Sequence, residues 1–306
     1  MQDVVVEKPK KTKKHHHEHF YKYLTLEGFH DLLLGGHFRY SSTKIFNDPF
    51  DMQFELLRPY DAQGEIGEIY KLAYEDAKNG VISEKHKSNP MYKGVYDTLI
   101  SQRERLTLPE IEEKVHKLIN EGDHSQLFEA LKPINKNLAS AMDAMFIFCV
   151  TKNGNDPLMW SHYTQGHTGV VIKISCIQNE ADLSSLCEAA EVSYNHEIPS
   201  LKISDLFGDQ KDIGKRIGQS FLTKGQCWSY ENEWRHIVKK DDFKGANYIY
   251  EKYKPEEIAA IYFGCRMPED KRTALSEIIK KLLPKTEVFQ AVKNQDMFSL
   301  KLKRLF

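Results

Sequence analysis

The first sustained apolar stretch is residues 20–24 (FYKYL), whose aromatic-rich composition predicts a strand. Thr25 stands where a helix N-cap belongs, apolar positions recur at helical spacing through Leu34, and Gly35 and Gly36 supply a stop. A short helix is therefore predicted, followed by a second strand over 37–42 (HFRYSS). In KIFNDPFD, the succession Asn47, Asp48, Pro49 favours a tight turn, expected as a loop held by Phe46 and Phe50. From about 62 to 143 the spacing is helical, with Thr107, Pro109 and Glu110 forming a capping-box start, and this region reads as a helical insertion or lid.

The run MFIFCVT (145–151) is apolar throughout and of strand length, as a buried strand requires. Asp156 and Pro157 open a short helix carrying Leu158, Met159, Trp160 and Tyr163, and Gly166 and Gly169 flank the turn into the strand GVVIKI. Further on, AEVSY (190–194) predicts a strand, about 209–223 a helix, and WSYENEWRHIVKK an alternating strand. A strand over 258–264, an amphipathic helix over about 268–283 and the strands TEVFQAV and FSLKLK close the chain. Regular β–α alternation is missing, so the order favours an α+β fold with a mixed, mostly antiparallel central sheet.

Composition adds boundaries to this picture. Residues 1–19 are rich in lysine and histidine and poor in large apolar groups, which predicts a disordered tail; residues 20–306 read as a single domain containing the 62–143 insertion. His15, His16, His17 and His19 on such a tail are expected to be solvated, and no metal site is expected. With 43 Lys and Arg against 44 Asp and Glu, no global field draws the chain to nucleic acid or an anionic membrane. No apolar run approaches the roughly 20 residues that span a bilayer, so the expectation is a cytoplasmic protein without a membrane partner. The scattered Cys149, Cys176, Cys187, Cys227 and Cys265 form no CxxC pair and are expected to be small buried hydrophobes.

Three segments could carry chemistry. In WSYENEWR, an extended backbone would turn Glu231, Glu233 and Arg235 to one face, either as a salt-bridged surface or as two carboxylates with divided roles beside a guanidinium. In MWSHYTQGHTG, Trp160, His162, Tyr163 and His167 could form an aromatic wall with an acid–base group, although Trp160 and Tyr163 share a helical face and one of them is expected in the core. In FNDPFD, Asn47 and Asp48 close a turn, or Asp48 and Asp51 present carboxylates at a cleft lip.

The succession FYKYLT, FNDPFD, PLMWSHYTQGHTGVVIKI, WSYENEWR and PEEIAAIYFG resembles the bacterial family known as domain of unknown function 2971. More distantly, YKYLTLEGFHDLLLGGHFRYSS and ENEWRHIVKK are similar to the first and the last catalytic strands of ADP-ribosyltransferase-fold proteins. That resemblance implies NAD as substrate, with Glu233 steadying the ribosyl cation as nicotinamide leaves, Glu231 orienting it and His162 assisting. It further implies a binding wall of Lys22, Tyr23, Tyr40, Ser41, Trp160, Tyr163 and Arg235, with Asn47, Asp48, Asp51 and His167 on substrate-facing loops. The acceptor would be a protein or nucleic acid, and the biological setting an intracellular toxin or phage-defence effector, with an antitoxin or other operon partner. Two competing readings stand beside it: a metal-dependent nuclease or phosphodiesterase built on Asp48, Asp51, Glu231 and Glu233, and a non-catalytic ligand-sensing or interaction module.

Overall fold

The computed structural model describes residues 14–52, 71–82, 84–87, 90–102, 107, 109–110, 113, 125–179, 183–201, 210–242 and 245–306. Contacts divide the chain into two units, one of Met1–Asn47, Asp143–Asn195 and Lys224–Phe306, the other of Asp48–Met142 and His196–Thr223.

The first unit holds a sheet of ten described strands. It begins with β1 (His19–Leu24), α1 (Leu26–Gly35) and β2 (His37–Ser42). Thr25 caps α1 by accepting from the Gly28 N–H at 3.1 Å, and Gly36 ends it in the left-handed region (φ 65°), with its N–H returned to the Leu32 carbonyl. After β3 (Met145–Thr151) comes α2 (Pro157–Tyr163), capped by Asp156, whose carboxylate accepts from the N–H groups of Leu158 and Met159. The strands β4 (Val170–Ser175), β5 (Ala190–Glu191), β6 (Ser193–Asn195), β7 (Thr223–Gly225), β8 (Glu233–Lys239), β9 (Tyr248–Lys252) and β10 (Ile258–Phe263) follow. Helix α3 (Glu269–Leu282), β11 (Glu287–Lys293) and β12 (Leu300–Arg304) complete the unit.

The sheet order is β12-β11-β10-β4-β1-β3-β2-β9, with β8 paired to β3 and β5. Among the described residues only β10 and β11 run parallel, so the sheet is mixed and mostly antiparallel, as the element order predicts. Strand β8 takes one whole edge of β3, from Met145↔Lys239 to Thr151↔Glu233. The other edge of β3 is shared: β1 meets it at Thr151, β2 at Phe146 and Ile147. Strands β1 and β2 therefore diverge alongside Phe148 and Cys149, and the sheet splits there. One face of the sheet carries a core that includes Phe20, Phe29, Phe146, Phe148, Trp234 and Ile279; the opposite face carries Tyr23, Trp160, Val171 and Tyr262.

Several expectations need correcting. His15, expected in a disordered tail, is buried against Phe20 and Trp234 with its Nε2 2.8 Å from the Leu186 carbonyl oxygen; residues 1–13 lie outside the described residues. WSYENEWR is not one strand: Gln226–Glu231 form a 3₁₀ turn, Asn232 is left-handed (φ 44°), and extension begins at Glu233. AEVSY breaks in two at Val192, whose N–H goes to the Glu233 carbonyl at 3.0 Å. Strand β9 was not predicted; its alternation in YIYEK is too short to stand out from the surrounding polar sequence. Phe50, expected to hold the FNDPFD loop, is 66% exposed. Cys227 is exposed, contrary to the expectation of five buried cysteines.

In the second unit, the described helices include Glu84–Lys87, Pro90–Gln102 and Ser125–Asp143, the last crossing the unit boundary. The expected capping box is present in the bonds from Thr107 N–H and Oγ1 to Glu110 Oε2, 2.7 and 2.8 Å. Residues 62–70, 83, 88–89, 103–106, 108, 111–112 and 114–124 of the expected insertion lie outside the described residues. Asp48 closes an Asx turn, its carboxylate accepting from the Phe50 N–H at 2.9 Å, and Asp51 is buried. No helix among the described residues is long and apolar enough to cross a membrane.

Candidate functional site

The two glutamates meet, but by a geometry different from strand alternation. Glu231 ends the 3₁₀ turn, the left-handed Asn232 reverses the chain, and Glu233 opens β8. Their carboxylates are joined by a residue that the motif reading missed: Lys224 Nζ donates to Glu231 Oε2 at 2.6 Å and to Glu233 Oε2 at 3.0 Å. Arg235 completes a bidentate pair, with Nε to Glu233 Oε1 at 2.7 Å and Nη2 to Oε2 at 3.2 Å. Tyr163, at the end of α2, donates its phenol to Glu231 Oε1. Two carboxylates thus face two cations, and Glu231, Glu233, Arg235 and Lys224 are 3, 3, 1 and 7% exposed. Pairing of opposite charges is what makes such burial tolerable, because an uncompensated charge here would bear the full desolvation cost.

The two carboxylates are driven apart in proton affinity. Burial would raise Glu233, but the Arg235 and Lys224 charges outweigh it and hold the carboxyl far below the usual range. Glu231 is raised, first by burial and then by the neighbouring Glu233 charge, against the opposing pull of Lys224 and Tyr163. Burial and the Glu231 charge push the Tyr163 phenol up, and burial with Glu233 does the same to the Cys149 thiol. Tyr194, whose hydroxyl accepts from the Glu233 N–H at 2.7 Å, is pushed up to about 12 by burial.

Around Glu231 lies a half-exposed aromatic lip. Lys224 Nζ sits 5.0 Å from the Trp228 ring centroid, and Trp228, Tyr230, His162 and Tyr163 form a chain of rings with centroids 6.1–6.3 Å apart. Below the network, the Arg235 guanidinium lies over Phe46 at 5.6 Å. These faces can stack a planar ring or a cation beside the Glu231 carboxylate.

Other expected wall residues are engaged elsewhere. Lys22 reaches into the split between β1 and β2, where its ammonium donates to the Cys149 carbonyl at 2.7 Å above Phe148, and burial lowers its pKa. Trp160 is fully buried, edge-on to Tyr23 and parallel to His167 at 6.2 Å. Tyr23 spends its hydroxyl on the Asn153 carbonyl and the Asp156 N–H. Tyr40 is 2.8 Å from His236 Nδ1; His236 neighbours Arg235 on β8 and so points to the opposite sheet face. Ser41 is half-buried within β2, paired with Ile147 and Tyr248. His167 is left-handed (φ 70°), its Nε2 3.0 Å from Ser161 Oγ, and burial with Arg266 and Lys293 lowers its pKa. Asn47 is exposed, while Asp48 and Asp51 belong to the second unit.

Gly264 fixes the His167 turn. Its N–H donates to the Gly169 carbonyl at 2.9 Å, and a Cβ there would run into the His167 carbonyl oxygen. Gly264→Ala is expected to cost about 1–3 kcal/mol, as overpacking against backbone does. Urea unfolding checks this, and wild-type stability would mean that the turn yields freely.

The described residues give a metal little to hold. No group of three or more His, Cys, Asp and Glu among them could bind an ion, and the Lys224 ammonium takes the place between Glu231 and Glu233 where a bridging cation would sit. For NAD as substrate the fit is partial. The aromatic lip offers stacking faces beside Glu231, whereas the Lys22 ammonium and the Trp160 ring are committed to the interior.

Fold and site define a mixed α+β protein whose distinctive feature is a buried carboxylate–cation network under an aromatic lip. The family resemblance read from the motifs is borne out: residues 159–236 match the family described as Protein of unknown function (DUF2971). The matched stretch contains Tyr163, Lys224, Glu231, Glu233 and Arg235 and leaves FYKYLT, FNDPFD and PEEIAAIYFG outside. No curated protein and no solved structure matches the chain.

Proposed function

We propose that the protein is an ADP-ribosyltransferase-like enzyme acting on NAD, in which Glu231 is the catalytic carboxylate and Glu233 its anchor. This exchanges the roles that the motif resemblance implies. The observation that carries it is the division of labour between the two groups: both Glu233 oxygens are taken by Arg235 and Lys224, whereas Glu231 Oε1 has only the Tyr163 phenol as a described partner. A carboxylate beside the aromatic lip can accept a hydrogen bond from a sugar hydroxyl and favour positive charge at the adjoining ribosyl carbon. In that step the N-glycosidic bond breaks, its electron pair leaves on nicotinamide, and an acceptor nucleophile adds to the ribosyl carbon as its proton passes to Glu231. The acceptor is a protein or nucleic acid, and the setting an intracellular toxin or phage-defence effector with a neutralising partner.

Incubation with NAD labelled in the ADP-ribose and nicotinamide portions tests this. Nicotinamide release is expected, together with label transfer when cell extract supplies an acceptor. Absence of both, across protein and nucleic-acid acceptors, would remove the reading. A second reading, a non-catalytic ligand-sensing or interaction module, is favoured by the deep burial of all four charged groups. It expects growth inhibition on expression, if any, to survive Glu231→Gln.

A further inference from the structure

The network contains one member whose placement the motif reading did not explain. Lys224 lies in β7, seven residues before Glu231 and nine before Glu233, and its ammonium is the only described group bonded to both carboxylates. Without it, Glu231 and Glu233 would face each other across a buried space, with Arg235 bonded to the Glu233 carboxylate. Like charges sharing a desolvated site do not both stay ionised; one of them takes up a proton. The ammonium also lies under the Trp228 ring, so its position is fixed by the aromatic lip as well as by the acids.

We propose that Lys224 is the positioning residue of this site: by bridging Glu231 and Glu233 it holds the two carboxylates side by side in the arrangement that the proposed chemistry uses. This rests on the functional reading above and adds to it a residue that acts through Glu231 rather than on the substrate. The groups that bear on Glu231 are Tyr163 from α2, Glu233 from β8, Tyr194 from β6, Tyr230 from its own turn and Lys22 from β1, with Arg235 of β8 bonded to Glu233. Lys224 is the cation in direct contact with it. Removal of that cation leaves burial and Glu233 raising Glu231, with the Tyr163 phenol as its remaining described hydrogen-bond partner.

The test is a titration of Glu231 in wild type and Lys224→Met, followed by the infrared carbonyl stretch of a protonated carboxylic acid and assigned by its loss in Glu231→Gln. The Met variant is expected to move the midpoint upward by roughly 1–3 pH units, as loss of an opposite charge at contact distance does. The acidic limb of nicotinamide release should move with it. Lys224→Arg, which keeps a cation, is expected to return the midpoint to within about one unit of wild type. An unmoved Glu231 midpoint in folded Lys224→Met would overturn the proposal. Should the Met variant not fold, the Arg variant decides: folded with a near-wild-type midpoint supports the role of charge, and failure to fold overturns it in favour of side-chain shape. If the midpoint moves while wild type releases no nicotinamide, the enzymatic reading falls and the positioning role stands.

Discussion

Glu233→Gln is expected to destabilise the first unit by about 3–5 kcal/mol, the usual effect of removing one partner from a buried ion pair. Glutamine fills the same volume, so packing is not the cause. The cause is Arg235, which is 1% exposed and bonded through Nε and Nη2 to the Glu233 carboxylate. With a neutral amide in its place the guanidinium keeps part of its hydrogen bonding and loses its counter-charge. Lys224 retains Glu231, whereas the buried guanidinium loses the carboxylate that took both of its described bonds. Denaturant unfolding reads the loss directly, and a change below about 1 kcal/mol would place the network at the level of a surface ion pair.

The same residue fixes the sign of the acid dependence. Glu233 has a lowered pKa in the folded state, so the stability it contributes is fully present above the unfolded carboxyl value of about 4.3 and is lost as pH falls toward the folded value. Glu231 is raised, and its contribution has the opposite sense: present below the unfolded value and lost as pH rises through the folded one. Wild-type stability should therefore fall on acidification below about pH 4, and the Gln variant at 233 should show a flatter acid limb. An identical acid limb in the two proteins would show that Glu233 gains nothing from Arg235 and Lys224.

Most of the sheet was legible because its strands obey simple periods. MFIFCVT reads as a buried strand because β3 puts Phe146, Phe148 and Val150 into one core, and GVVIKI because β4 has core on both faces, Ile172 on one and Val171 on the other. Asp156 with Pro157, and Thr25 with Gly36, mark helix ends whose caps appear where the chemistry puts them. The candidate site was legible only in part. Glu231, Glu233, Arg235 and Tyr163 announced themselves through dense, chemistry-bearing motifs, and they do meet. The route by which they meet was not readable, since a single left-handed Asn232 between a 3₁₀ turn and a strand leaves no periodic trace. Lys224 was missed because a lysine after a predicted helix reads as a solvated end. Lys22 and Tyr40 have partners far apart in sequence, Cys149 and His236, and nothing local foretells them.

Glu231→Gln is expected to reduce nicotinamide release by about 10²–10³-fold while leaving stability within about 1–2 kcal/mol of wild type, the range for losing one preorganised electrostatic contact at a reacting centre. The asymmetry with Glu233 is the point. Glu231 bears a desolvation penalty that raises its pKa, so a neutral amide relieves part of a cost even as it weakens the hold on Lys224, which keeps Glu233 at 3.0 Å. The amide oxygen can still accept from Tyr163, so the lip keeps its shape. What disappears is the negative charge where positive charge would develop on the ribosyl carbon, and that loss falls on the transition state rather than on binding. Release should therefore drop in kcat with little change in KM. A folded Glu231→Gln protein that releases nicotinamide at the wild-type rate would show that the raised carboxyl takes no part in the reaction, and the catalytic role would then have to return to Glu233 or leave this network altogether.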